Sequence, residues 1–257
     1  MVLRRQEAGS LRLRPLTQNG SMAALLYAAL GDSISIDDYA GGPGRGGAAL
    51  LLANRDDDFP DWRGRDLRTA DPMAELALLA TDGATTRTLL QTQLARLAAL
   101  PTAPTVATLT IGGNDLLTAY GNTAGARAVI ARVRADLDRA LPVLTASLAE
   151  GGRLVLGTVY DPTDGTGDAA RLGLPPWEDG VALVDELNGT LRELAARHGA
   201  SVAEIAEEFA GHGVRAGDPS GREARPADRD LWFCDVIEPN AWGASGVRAA
   251  FWAALHS

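Results

Sequence analysis

The amino-acid pattern predicts a three-layer α/β/α sandwich built on a mostly parallel sheet of about five strands. Three observations lead there. Short apolar runs of strand type alternate with segments in which leucine recurs at helical spacing. The residues after each apolar run are small and polar, as loops at the rim of such a sheet are. No internal repeat, low-complexity tract or linker divides the 257 residues, so they read as one domain, large enough to bury a core without staples.

The elements follow in order. Residues 24–30 (ALLYAAL) form the first buried strand, 31–47 a Gly/Asp-rich loop, and 48–53 a short helix. Residues 54–72, polar and broken by Pro60, form a long loop. Residues 73–80 fit strand or helix equally. Leu89, Leu90, Leu94, Leu97 and Leu100 mark a helix over 86–100. Residues 106–111 (VATLTI) are a strand, and 124–148 a long amphipathic helix in which Pro142 predicts a bend. Residues 153–159 are another buried strand, and 180–198 a helix stopped by Gly199. A fifth strand at 201–205 and a terminal helix at 247–255 complete the chain, and right-handed crossovers place helices on both faces of the sheet.

Composition excludes several functions. The formal net charge is −9, and all 24 basic residues are arginine. A chain without lysine has no Schiff-base, pyridoxal or P-loop lysine. Net acidity argues against nucleic-acid and anionic-membrane partners. One cysteine, Cys234, allows no internal disulfide and no thiolate cluster. His198, His212 and His256 share no metal-ligand spacing, so no metal site is expected. No apolar run approaches membrane-spanning length. Residues 1–21, rich in Arg, read as a disordered N-terminal extension; the apolar run 22–30 ends in Gly-Asp-Ser and makes a poor signal peptide, so a cytoplasmic location is expected.

Function in a parallel sheet sits beyond the carboxyl ends of its strands. Gly31-Asp32-Ser33 follows the first strand, Thr81-Asp82-Gly83 the second apolar run, and Gly112-Gly113-Asn114-Asp115 the third. Near the C-terminus stands Asp235-Val236-Ile237-Glu238-Pro239-Asn240. Acyl transfer needs a nucleophile on a sharp turn at the sheet rim and donors aimed at the developing oxyanion. Ser33 suits the first requirement. The Ser33 amide, the Gly83 amide with no side chain in the way, and the Asn114 carboxamide suit the second.

Taken in order, these blocks resemble those of the SGNH/GDSL hydrolases over residues 22–257. The resemblance implies a flavodoxin-like fold, an ester-cleaving serine nucleophile at Ser33, an oxyanion hole from Ser33, Gly83 and Asn114, a small-molecule ester substrate, and no cofactor. The fourth block departs from the family pattern, Asp, two residues, His: Asp235 is in place, but Glu238 stands where the histidine is expected.

An ionised carboxylate can accept the serine proton, but from a pKa near ~4.3 rather than the ~6.5 of histidine. Asp235, three residues away, would raise one of the two pKa values and could orient Glu238, giving a Ser33–Glu238–Asp235 site with an acidic optimum. Two alternatives stay open: recruitment of a histidine as base, with His212 in a Gly-flanked loop the first candidate, or a catalytically impaired scaffold that binds an acyl or glycan ligand. Transfer to an acceptor other than water would use the same residues.

Other features take plainer readings. Asp115 orients its loop, and His198 is a helix C-terminal cation. Residues 41–47 are a flexible loop without the Lys of a phosphate loop. Asp37, Asp38 and Arg45 are solvated near the pocket mouth, and Asp56-Asp57-Asp58 is a solvated run. The acidic stretch 161–168 lacks calcium-loop spacing and reads as a substrate-side loop. Trp232 and Phe233 read as core.

Overall fold

The computed structural model describes residues 24–170, 173–216 and 231–257; the expected N-terminal extension lies outside the described residues. The central sheet contains β1 (Leu26–Gly31), β2 (Glu75–Leu78), β3 (Val106–Thr110), β4 (Arg153–Gly157) and β5 (Ser201–Ala203). All its strand pairs are parallel, in the order β2-β1-β3-β4-β5. In this doubly wound order the chain leaves β1 for one edge and returns to the other side at β3. The carboxyl ends of β1 and β3 therefore border the crevice at the switch point.

Strand side chains alternate between two apolar layers, as the period of two requires. Ala28, Leu30, Ala107, Leu109, Leu154 and Leu156 pack on one side with α6 (Thr123–Ala146) and α7 (Gly180–Arg197). Tyr27, Ala29, Val106, Val155 and Ala203 pack on the other with α1 (Gly47–Leu52), α8 (Ile205–Phe209) and α9 (Ala241–His256). The ambiguous segment 73–80 is the edge strand β2. Helix α6 continues through Pro142.

Several elements differ from expectation. The 86–100 helix comprises α3 (Thr86–Thr88), a π-helical turn (Leu89–Gln93) and α4 (Leu94–Ala98). The terminal helix begins six residues earlier than its apolar stripe. The Asn240 carboxamide caps it by accepting from the Trp242 and Gly243 amides. Its first turns are glycine-rich because they pack tightly: a Cβ at Gly243 would meet the Trp232 carbonyl at 2.4 Å, and one at Gly246 the Trp232 ring at 2.3 Å.

The long loop after α1 contains a 3-10 turn (Pro60–Trp62) and α2 (Leu67–Ala70). It is anchored by the fully buried Arg248, which donates to Asn54 and Ser245 and lies 4.1 Å from the Trp62 ring centroid. Three short elements were not foreseen: α5 (Gly113–Leu117), α8, which takes over where the expected strand 201–205 ends at Ala203, and an antiparallel hairpin, β6 (Phe233–Cys234) with β7 (Glu238–Pro239).

Asp37 is not merely solvated. Its carboxylate accepts from the Gly44 and Gly46 amides at 2.8 and 2.7 Å, which orders the glycine loop read as flexible. In the acidic run, Asp56 and Asp58 pair with Arg63, Arg55 and Arg45.

Candidate active site

The turn after β1 is built around glycine and a cap. Gly31 has φ +114°, and a Cβ there would lie 1.8 Å from the Thr110 carbonyl oxygen. Only glycine allows β1 and β3 to remain paired at their carboxyl ends while the chain reverses. Asp32 then caps a 3-10 turn (Ser33–Ser35), its carboxylate accepting from the Ile34 amide at 3.3 Å. The cap is therefore Asp32, and Ser33, the first residue of the turn, is left with its hydroxyl at the rim. The Ser35 hydroxyl bonds that of Thr110 at 2.9 Å, tying the turn to β3.

Gly83 lies in the loop after β2 with φ +64°. Asn114 lies in α5, entered through Gly112 at φ +109°, and its amide nitrogen donates to the Ala84 carbonyl at 3.2 Å. Asp115 is the tie between these two loops, accepting from the Thr86 amide at 2.9 Å and the Thr86 hydroxyl at 2.8 Å. The structural reading of Asp115 matches this geometry. The backbone amides of Ser33, which lines the crevice, and of Gly83, in the loop after β2, have no acceptor among the described residues.

Glu238, in β7, faces Ser33. Burial pushes its carboxyl above the ordinary carboxylate range, and the negative charges of Asp82 and Asp235 push the same way; interaction with the Ser33 side chain pulls it down. One carboxyl oxygen, Oε2, is buried without a hydrogen-bond partner among the described residues. The Tyr160 hydroxyl holds the hairpin at the end of β4 by donating to the Ile237 carbonyl at 2.6 Å.

Asp235 is placed differently from expectation. It lies exposed at the hairpin tip, where Asp235 and Val236 both have positive φ, +39° and +69°. No hydrogen bond joins its side chain to Glu238; it contributes charge alone. A three-residue turn between paired strands points the first turn residue outward, which residue spacing does not reveal.

The carboxylate buried close to Glu238 is instead Asp32, 1 % exposed, with a pKa pushed up to about 7 chiefly by burial. Hydrogen bonds from Thr110 and Ile34 oppose that shift, and Glu238 adds to it.

His212 is buried and stacked on Trp232, ring centroids 3.7 Å apart, and is not among the cavity-lining residues. Its loop is fixed, since the Gly211, Gly213 and Arg215 amides all donate to Asp164. His198 pairs with Asp138 at 3.0 Å at the end of α7, and His256 is exposed near the C-terminus.

Ser33, Asn114 and Glu238 line one end of a cavity of about 110 Å³. Its walls are apolar: Leu116, Leu117, Val159, Trp177, Val181 and Val184 among them. Asp161, Pro162, Thr163 and Gly167 also line it, so part of the stretch 161–168 borders the cavity. Asp161 ties that loop by accepting from Thr163 and Gly165 amides, both at 2.8 Å.

Sequence reasoning missed the apolar wall of Leu116, Leu117, Trp177, Val181 and Val184, and also Gln93. The signal for Gln93 was present: one amide interrupts the buried stripe Leu89–Gln93–Leu97. Among the described residues no cluster of three His, Cys, Asp or Glu could hold a metal ion.

The family model of GDSL-like lipases and acylhydrolases matches residues 29–244. The chain belongs to that family. With the membership comes its chemistry: this is an ester-hydrolysing enzyme. Its fold is similar to phospholipase A1 from Streptomyces albidoflavus NA297, at 25% identity, covering 90% of this chain and 100% of that one, with TM-score 0.57. LAE5, an α/β hydrolase from the metagenome of Lake Arreo, is 22% identical over 91% of this chain and 96% of that one, TM-score 0.60. A single-residue variant of Axe2, an acetyl xylan esterase from Geobacillus stearothermophilus, is 14% identical over 90% and 94%, TM-score 0.60. The last two likenesses show the fold alone. No curated protein matches the chain. No described helix is long and apolar enough to cross a membrane.

Proposed function

We propose that this GDSL hydrolase cleaves the carboxylic ester of an apolar acyl group through an acyl-enzyme on Ser33, with Glu238 as the base. The observation that carries the reading is a juxtaposition in the cavity lining: the Ser33 side chain faces the Glu238 carboxyl, and the Ser33 amide has no acceptor among the described residues. The Ser33 hydroxyl attacks the ester carbonyl and its proton passes to ionised Glu238. The carbonyl oxygen takes the negative charge against the Ser33 and Gly83 amides and the Asn114 carboxamide. Protonated Glu238 then gives its proton to the departing alcohol. Water, deprotonated by Glu238, hydrolyses the acyl-enzyme and frees the acid.

The cavity's apolar walls select the acyl arm. An apolar cavity of ~150 Å³ holds a benzene ring, so one of this order takes an acyl group of several carbons.

One observation favours the second reading, an impaired scaffold that binds such a ligand without turnover. Asp235 does not bond Glu238, so the base lacks the orienting third group that serine hydrolases use.

Hydrolysis of nitrophenyl esters of increasing chain length, followed from about pH 4 to 9 with Ser33→Ala as control, tests the proposal. A Ser33-dependent rate that rises through a single pKa above ~4.3 and then levels supports it. The Glu238→Gln enzyme should lose about a hundredfold or more in kcat, and Glu238→His should move the limb toward neutrality. No Ser33-dependent rate from the folded protein, with Glu238→His equally inert, would favour the binding scaffold.

A further inference from the structure

We infer that Gln93 is a positioning residue that fixes the separation of the Ser33 and Gly83 amides, and so acts on kcat rather than on substrate binding. The inference rests on the reading that those two amides receive the oxyanion.

Gln93 is fully buried, at the end of the π-helical turn that interrupts the 86–98 helix. Such turns carry an extra residue per turn and shift one side chain relative to a regular helix. Here the shifted side chain is an amide that meets the sheet at the point where β1 outruns β2. Strand β2 ends at Leu78, whose partner is Ala29, so Gly31 has no β2 residue opposite it.

Gln93 supplies the missing pairing with its side chain. Its Oε1 accepts from the Gly31 amide at 2.8 Å, and its Nε2 donates to the Gly31 carbonyl at 2.8 Å. The same Nε2 lies 3.4 Å from the Thr81 hydroxyl oxygen. The Thr81 amide donates in turn to the Gly31 carbonyl at 3.1 Å. One buried amide therefore contacts the residue two places before Ser33 and the residue two places before Gly83.

A second helix amide shows the same geometry on the other side of the cleft. Asn188 in α7 accepts from the Val159 amide and donates to the Val159 carbonyl, both at 2.8 Å. Val159 lines the cavity wall, and among the described residues Asn188 makes no hydrogen bond to Gly31 or Thr81. The two clamps are thus matched in chemistry and burial but differ in what they hold, donors in one case and acyl wall in the other.

An oxyanion hole works through donors fixed before the charge develops, so a small drift between two amides costs transition-state stabilisation and leaves ground-state binding untouched. That separation of effects supplies the test. In the Gln93→Met enzyme, kcat on a nitrophenyl hexanoate should fall about a hundredfold with KM within a factor of about two. Affinity for an alkylboronic acid, which forms a tetrahedral adduct on a serine, should weaken by a similar factor. Binding of hexanol, which needs only the cavity, should stay unchanged. Asn188→Leu should give the converse, a raised KM and weaker hexanol binding with a smaller effect on kcat.

If Gln93→Met fails to fold, Gln93→Glu is the second variant. It is isosteric and keeps an acceptor for the Gly31 amide, and it should show the same kcat-only loss at reduced size. The inference is overturned if folded Gln93 variants keep wild-type kcat and boronic-acid affinity, or if KM rises and hexanol binding weakens in step with the loss of kcat. A wild-type protein that binds hexanol but neither hydrolyses esters nor takes up the boronic acid would instead refute the underlying oxyanion reading, and the positioning role with it.

Discussion

Replacing Asp32 with Asn should abolish a loss of stability that the wild-type protein suffers as pH rises from about 5 to 8. Asp32 is buried next to Ser33 in the chain, and its carboxyl pKa is pushed up to about 7, first by burial. In an unfolded chain the same group titrates near ~3.9. Between those values the folded protein holds a proton that the unfolded chain has released. Stability is therefore fully present below about pH 4, declines through the window, and levels off above about pH 7. A shift of roughly three pKa units corresponds to about 4 kcal/mol, of which roughly 2.5 kcal/mol falls between pH 5 and pH 8.

Asparagine keeps the size of the side chain, an acceptor for the Ile34 amide, and a group able to bond Thr110, without the charge. Urea unfolding of both proteins at about pH 5 and pH 8 isolates the effect, because the remaining carboxylates titrate in both. The stability difference, variant minus wild type, should grow with pH by roughly 2.5 kcal/mol. A difference that stays constant between the two pH values would show that Asp32 is not protonated by burial, and would refute the electrostatic account of the turn.

Two further predictions concern the turn and the mouth of the site. Gly31→Ala should cost on the order of 3 kcal/mol or prevent folding, since the new Cβ meets the Thr110 carbonyl at 1.8 Å on a residue at φ +114°; a melting-temperature comparison reads it. The charges acting on Glu238 and on neighbouring Tyr39 are those of carboxylates, Asp82, Asp235 and Asp38 among them. An ester whose leaving alcohol carries a carboxylate should therefore react several-fold more slowly than its neutral analogue at low ionic strength, and the gap should close as salt is added.

Four of the five strands and the three glycine-bearing loops are legible in the sequence because each depends on local chemistry, whereas the edge strand β2 lies in the run 73–80 that suits strand or helix equally. Apolar runs of the right length become strands, and a glycine after each lets the chain reverse. The blocks around Ser33, Gly83 and Asn114 sit on those loops, and their resemblance to the GDSL pattern is what marks them as a site. The π-helical turn is less legible, because Leu89, Leu90 and Leu94 suit a regular helix equally well, and only the polar Gln93 on the buried stripe marks the departure. The start of α9 is hidden for a different reason. Gly243 and Gly246 add nothing to an apolar stripe, yet they are required by the Trp232 backbone and ring packed against them. Asp235 is the case where spacing misleads. Three residues from Glu238 would share a face on a helix, whereas here they span a hairpin turn and part company.

That separation changes which carboxyl accompanies Glu238. Two buried carboxyls near one another cannot both ionise cheaply, and one must keep its proton. Asp32, with a pKa of about 7, is the one that keeps it, because it is the more deeply buried. Glu238 is less buried; burial still pushes its carboxyl up, while the Ser33 hydroxyl it faces draws it back down. If Glu238 is the base proposed above, it titrates beside a neighbour that stays neutral. The order of titration can be read from the acid limb of the pH–rate profile. If Asp32 is neutral throughout that limb, Asp32→Asn will leave the limb where it is, even if it changes kcat. If Asp32 were ionised first, removing its charge would lower the Glu238 pKa and move the limb toward acid by about a unit or more. An unmoved limb supports protonated Asp32 beside an ionised Glu238, and a displaced limb assigns the proton the other way.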